Sequence, residues 1–174
     1  MALPRMTARL HAFPRHRTAS DSRAGSARVR TVESFHFLAH GTMSELAPLF
    51  GAEKERLWAP GWNPEFVNPQ PARDEEGMVF IVDHGHHHAI WQNSEFDLTN
   101  GRMTYVYVIP DAMATLIRIR LAPAGENTRV DVTYVRTSLS PEADEQVRRM
   151  ADGDRQSGPE WESQINEYLS KTKK

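Results

Sequence analysis

Between residues 65 and 138 the chain reads as six strand-like runs, 65–68, 77–83, 89–97, 102–109, 115–121 and 129–138. The separators His84-Gly85, Thr99-Asn100-Gly101, Pro110-Asp111 and Ala124-Gly125-Glu126-Asn127 are hairpin chemistry, with Asn-Gly the strongest of them. Connections this short leave no room for crossover helices, so consecutive runs must pair antiparallel. In 115–121, Arg118 and Arg120 alternate with Ile117, Ile119 and Leu121, and from Arg129 onward Val130, Val132 and Tyr134 alternate with polar residues. One face of the sheet is therefore wet and the other buried.

A further β-branched and aromatic run begins at Val29 and continues through Phe37, giving a first strand. Thr42-Met43-Ser44-Glu45 has the capping-box form of a helix start, and Gly51 is placed to stop that helix. A second short helix is expected at 53–58, before Pro60-Gly61 forces a turn flanked by Trp58 and Trp62. Two large aromatic side chains around one turn need something hydrophobic to clamp against, either core or ligand. At the C-terminus, Ser140-Pro141 opens a helix whose apolar stripe is Ala143, Val147, Met150 and Ala151. Gly153 and Ser157-Gly158-Pro159 are expected to break or kink it, with Ser157 and Glu160 forming a second capping box and Trp161, Ile165, Tyr168 and Leu169 a second stripe. Such a kink would let the first half act as a lid over the sheet while the Trp161 half stays anchored.

The 174 residues suit one core with an appendage. A formal net charge of -2 gives no support to nucleic acid or an anionic membrane as partner, and no run approaches the ~20 apolar residues of a bilayer span. Without cysteine the chain has no disulfide, thiolate nucleophile or cysteine-ligated metal. Phosphate-binding glycine loops, the nucleophile elbow, the zinc-protease helix motif and the dinucleotide fingerprint are also missing. Residues 1–28 collect Arg5, Arg9, Arg15, Arg17, Arg23 and Arg28 against one acid, Asp21, and read as a disordered basic tail. A basic arm, an organellar transit peptide and an over-long start are the alternatives for it.

The order of strand, two short helices, antiparallel run and long C-terminal helix resembles the START-like, or SRPBCC, superfamily, which includes the Bet v 1-like proteins and the polyketide cyclases and dehydratases. The likeness to a bacterial branch of it is carried by Pro48-Leu49-Phe50 followed by Glu55, Trp58 and Pro60-Gly61-Trp62, by Gly77-Met78-Val79-Phe80, and by Trp91 after a hairpin. Tyr105 with Pro110, and Thr128-Arg129-Val130 entering the last strand, complete it. The resemblance implies an α+β helix-grip fold over 29–174: a curved seven-stranded antiparallel sheet wrapped around the long C-terminal helix. It also implies a cavity between them that holds a small apolar molecule in many relatives.

The residues expected to wall that cavity are Trp62, Trp91, Tyr105, Tyr107, Tyr134 and Trp161, each of which could equally fill the core. Arg136 is in phase with Val132 and Tyr134, so without a bulge it points inward and needs Glu65, Glu95 or a ligand carboxylate as partner. His84, His86 and His88 form the one cluster with metal-ligating side chains, Asp83 being the nearest fourth group; a solvated turn explains them as well. No metal or other cofactor is expected. Three functions fit: binding of a small apolar or amphipathic molecule; a cyclase-like enzyme in which a tyrosine, His36 or Arg136 polarises a carbonyl; or a protein-interaction module like the Hsp90-cochaperone relatives of the fold. A cytoplasmic monomer or homodimer is expected.

Overall fold

A computed structural model describes residues 27–84 and 87–172; most of the basic tail expected at 1–28 lies outside them. Seven strands, β1 (Arg30–Ala39), β2 (Glu65–Asn68), β3 (Val79–His84), β4 (His87–Asp97), β5 (Arg102–Ile109), β6 (Met113–Ala124) and β7 (Asn127–Ser138), form one antiparallel sheet in the order β1-β7-β6-β5-β4-β3-β2. Between β1 and β2 come a short helix, α1 (Met43–Leu46), and 3-10 turns at Ala47–Phe50 and Lys54–Leu57. After β7, a 3-10 turn leads into α2 (Asp144–Gln156) and α3 (Gly158–Thr172). This is the helix-grip architecture that the resemblance implies. No helix among the described residues is long and apolar enough to cross a membrane.

Alternation explains which face is buried. Phe35, Phe37 and Ala39 of β1, Ile117, Ile119 and Leu121 of β6, and Val130, Val132 and Tyr134 of β7 all point to the concave side, where α2 and α3 pack on β1. Arg118 is exposed on the convex side, as its phase requires. The β4–β5 hairpin turns through Gly101 at φ +62, with Asp97 accepting hydrogen bonds from the Asn100 backbone (3.0 Å) and side chain (2.7 Å). β4, β6 and β7 each begin two residues before the sequence pattern suggests, because pairing continues up to the turns, through His87 and His88, Met113 and Ala114, and Asn127 and Thr128.

The helical parts differ more from expectation. The capping box is present, with Glu45 accepting the Thr42 N–H at 2.7 Å, but α1 tightens into a 3-10 turn after one turn. Gly51 is not a left-handed stop: its φ is -74, and a Cβ there would lie 2.2 Å from the Asp74 carboxylate, which accepts the Glu53 N–H at 3.0 Å. Close approach, and not backbone sign, is what requires glycine at this position. Gly153 lies within α2, so the single break falls at Ser157. Ser157 does not cap α3 with its side chain; its hydroxyl donates back to the Gly153 carbonyl at 2.9 Å. Pro159 then sits in the first turn of α3, where its missing N–H removes no helical bond.

The free edge of β1 is covered by the start and middle of α3. Gly158 lets the helix approach so near that a Cβ would stand 3.4 Å from the His36 carbonyl. Further along, the Asn166 side chain accepts from the His40 N–H (2.8 Å) and donates to the Leu38 carbonyl (3.2 Å), as a neighbouring strand would.

Candidate functional site

Register places one cross-strand row over all seven strands. Phe66 of β2 pairs with Phe80, Phe80 with Trp91, Trp91 with Tyr107, Tyr107 with Thr115, Thr115 with Arg136, and Arg136 with Thr31 of β1. The adjacent concave row runs Asn93, Tyr105, Ile117, Tyr134, Glu33. Side chains from these rows meet α2 and the loop between β1 and β2, and here the polar groups of the interior concentrate.

At the centre is Arg136, with no exposed side-chain surface. Its Nε and Nη2 donate to the two carboxylate oxygens of Asp154 on α2, at 2.6 and 2.7 Å. Nη1 donates to the Tyr107 hydroxyl and, at 3.2 Å, to Thr115 Oγ1. The guanidinium lies over the Tyr134 ring, 4.7 Å from its centroid. Burial opposes the charge, but Tyr107, Asp154 and Tyr134 outweigh it and raise the Arg136 pKa. The expected partners are thus corrected: Glu95 binds Arg120 and Arg102 on the other face, Glu65 is exposed on β2, and a helix carboxylate neutralises the arginine instead. Asp154 was legible in principle, since it falls four residues after Met150 and seven after Val147, on the α2 apolar stripe.

The aromatic residues divide into two groups. Trp91 stacks on Tyr107 (4.3 Å between centroids) and on Phe80 (5.6 Å), with Trp62 edge-on at 5.6 Å. Trp161 belongs to another cluster, with Phe35, Phe37, Phe50 and Trp58 at 5.5 to 6.4 Å. Three polar tips are bonded to backbone: the Trp62 indole donates to Ala52 (2.7 Å), that of Trp58 to Leu49 (2.7 Å), and the Tyr105 hydroxyl to Phe50. Two others are left over. Trp91 Nε1 and the Tyr134 hydroxyl are buried and have no hydrogen-bond partner among the described residues, and the same holds for Asn93 Oδ1. Burial, and secondarily the Asp154 charge, push the Tyr134 pKa far up, so the phenol remains a donor at any working pH.

The other candidates lie apart. His36 is exposed on the convex face and cannot reach a carbonyl held on the concave side. Gly85 and His86 lie outside the described residues; His88 Nδ1 meets Asp83 Oδ1 at 2.5 Å, with both side chains about 70% exposed. Among the described residues no three His, Cys, Asp or Glu side chains converge to hold a metal ion.

No protein-family model matches the sequence, and no curated protein matches it. Solved structures do. Norcoclaurine synthase from Thalictrum flavum, in complex with dopamine and hydroxybenzaldehyde, matches with a TM-score of 0.56 and 11% identity over 78% of this chain and 87% of that one. The Mll3558 protein from Rhizobium loti matches with 0.54 and 18% over 83% and 97%, and Ara h 8.0201 with 0.56 and 12% over 82% and 99%. At these identities the likeness is one of fold.

Proposed function

We propose, from the premise that the chain has the helix-grip fold of the START-like (SRPBCC) and Bet v 1-like proteins, that it binds a small amphipathic molecule between the concave sheet and the C-terminal helices. The observation that carries this is the pair of buried donors, Trp91 Nε1 and Tyr134 OH, left without partners among the described residues beside a bidentate ion pair. An unmatched buried donor costs about 1–3 kcal/mol, which an acceptor on a ligand recovers. Trp91, Tyr107, Tyr134 and Arg136 form the polar end of this site, with Trp62 behind Trp91; Trp161 and Tyr105 supply the apolar walls. A structural neighbour crystallised with two small aromatic molecules supports the reading by analogy of fold.

Binding ranks ahead of cyclase chemistry because Arg136 is held by Asp154, Tyr107 and Thr115 and His36 lies on the convex face, which leaves Tyr134 as the one group of that reading able to meet a carbonyl, with no second free acid or base beside it among the described residues. A protein-interaction role is the second reading, favoured by the apolar row Val32, Val135, Leu116, Val106 on the convex face. Native mass spectrometry of gently purified full-length protein tests the choice. An organic adduct lost on denaturation, and lost from the Trp91→Phe variant, is expected; a bare ion in both would transfer the weight to the convex face.

A further inference from the structure

We infer that the site selects uncharged ligands bearing a hydrogen-bond acceptor, such as an aromatic ketone, aldehyde or quinone-type carbonyl, over carboxylates and ammonium ions of the same shape. This rests on the binding reading above and adds the chemical class of what is bound. The formal charges on the cross-strand row and the helix face above it are Arg136 and Asp154, and they cancel through a bidentate contact at 2.6 and 2.7 Å. All three guanidinium nitrogens are bonded and one face of the group is covered by Tyr134. A ligand carboxylate would therefore enter a low-dielectric interior without a free cation to meet it, and its desolvation would go uncompensated. An ammonium ion fares no better, because both oxygens of Asp154 are already taken.

Around this ion pair, what remains for a ligand is neutral. Trp91 Nε1 can only donate, Tyr134 is held protonated by burial, and Asn93 contributes one carbonyl oxygen, its Nδ2 already donating to the Glu75 carbonyl at 3.2 Å. A carbonyl oxygen meets either donor, and a hydroxyl elsewhere on the molecule meets Asn93. Phe80, Trp91 and Tyr107 stack on one another, so together they offer the body of a ligand an apolar wall of ring edges.

The test compares three probes of matched shape, 2-acetylnaphthalene, 2-naphthoate and 2-naphthylmethylammonium, by equilibrium dialysis against the full-length protein. The ketone is expected to bind at least roughly tenfold more tightly than either ion at neutral pH, with the naphthoate recovering affinity only at a pH that protonates it. Tyr134→Phe separates this from a structural role. Removing an unpartnered hydroxyl leaves the melting temperature of the free protein unchanged or higher, while ketone affinity falls roughly three- to tenfold, the worth of one hydrogen bond. Naphthoate binding as tightly as the ketone at neutral pH overturns the inference and leaves the binding reading standing. Failure of all three probes to bind overturns both.

Discussion

Arg136 shows how far a single residue can be read. Its phase with Val132 and Tyr134 places it inside, and the structure agrees. Its partner could not be found from the sheet alone, because strand periodicity identifies lateral neighbours and Asp154 comes from the helix layer above. A buried pair of this kind is stabilising only relative to its broken halves. Arg136→Met and Asp154→Leu are each expected to lower unfolding free energy by about 3–5 kcal/mol, whereas the double variant returns to within about 1 kcal/mol of the parent. Denaturant unfolding of the four proteins measures the cycle; additive losses would mean that the two side chains act separately. The tyrosines illustrate a subtler point. Tyr105, Tyr107 and Tyr134 share a sequence pattern, yet one hydroxyl is bonded to backbone, one to the arginine and one to nothing among the described residues. Only the side-chain packing of neighbouring strands and loops distinguishes them.

Among the elements, strand interiors were legible because alternation is a local property, while their ends depend on the partner strand. Helix ends fared worse for the same reason. Gly153 resembles a break and is not one, whereas the Ser157 break coincides with the approach of Gly158 to β1. The guarding of the β1 edge by Asn166 had no local signal, since the residues it bonds, Leu38 and His40, lie 128 and 126 positions away. Asn166→Ala should lower stability by roughly 1–2 kcal/mol through loss of the two bonds. It should also speed hydrogen exchange at the His40 amide ahead of the rest of β1. Unchanged protection at His40 would show that the edge is held by helix packing alone.

For the whole molecule, strand number, order and helix placement were readable, because a meander with short turns admits few topologies. The ligand class was not, because it depends on which buried polar atoms are left over after folding. The expected lid, α2, is fastened at both ends: Asp144 accepts from Ser138 and from the Val29 N–H (3.4 Å), and Asp154 and Arg155 grip Arg136 and Glu33. Hydrogen bonds from Arg155 and Ser138 lower the pKa values of Glu33 and Asp144, and one from Thr104 lowers that of Glu95. Folded values below unfolded ones mean stability that is present above the unfolded carboxylate range and disappears as pH falls through the folded values. Asp74, raised by burial, acts in the opposite sense. Unfolding free energy should accordingly decline below about pH 4.5, and Glu33→Gln should flatten that decline; an unaltered slope would remove Glu33 as a contributor. The ion pair across the interior also has an orientation, positive on the sheet and negative on α2. The core is therefore a polarised medium and not an oil drop: a conjugated molecule lying alongside the pair has its electrons drawn toward the sheet, and its colour would report the field of the protein that holds it.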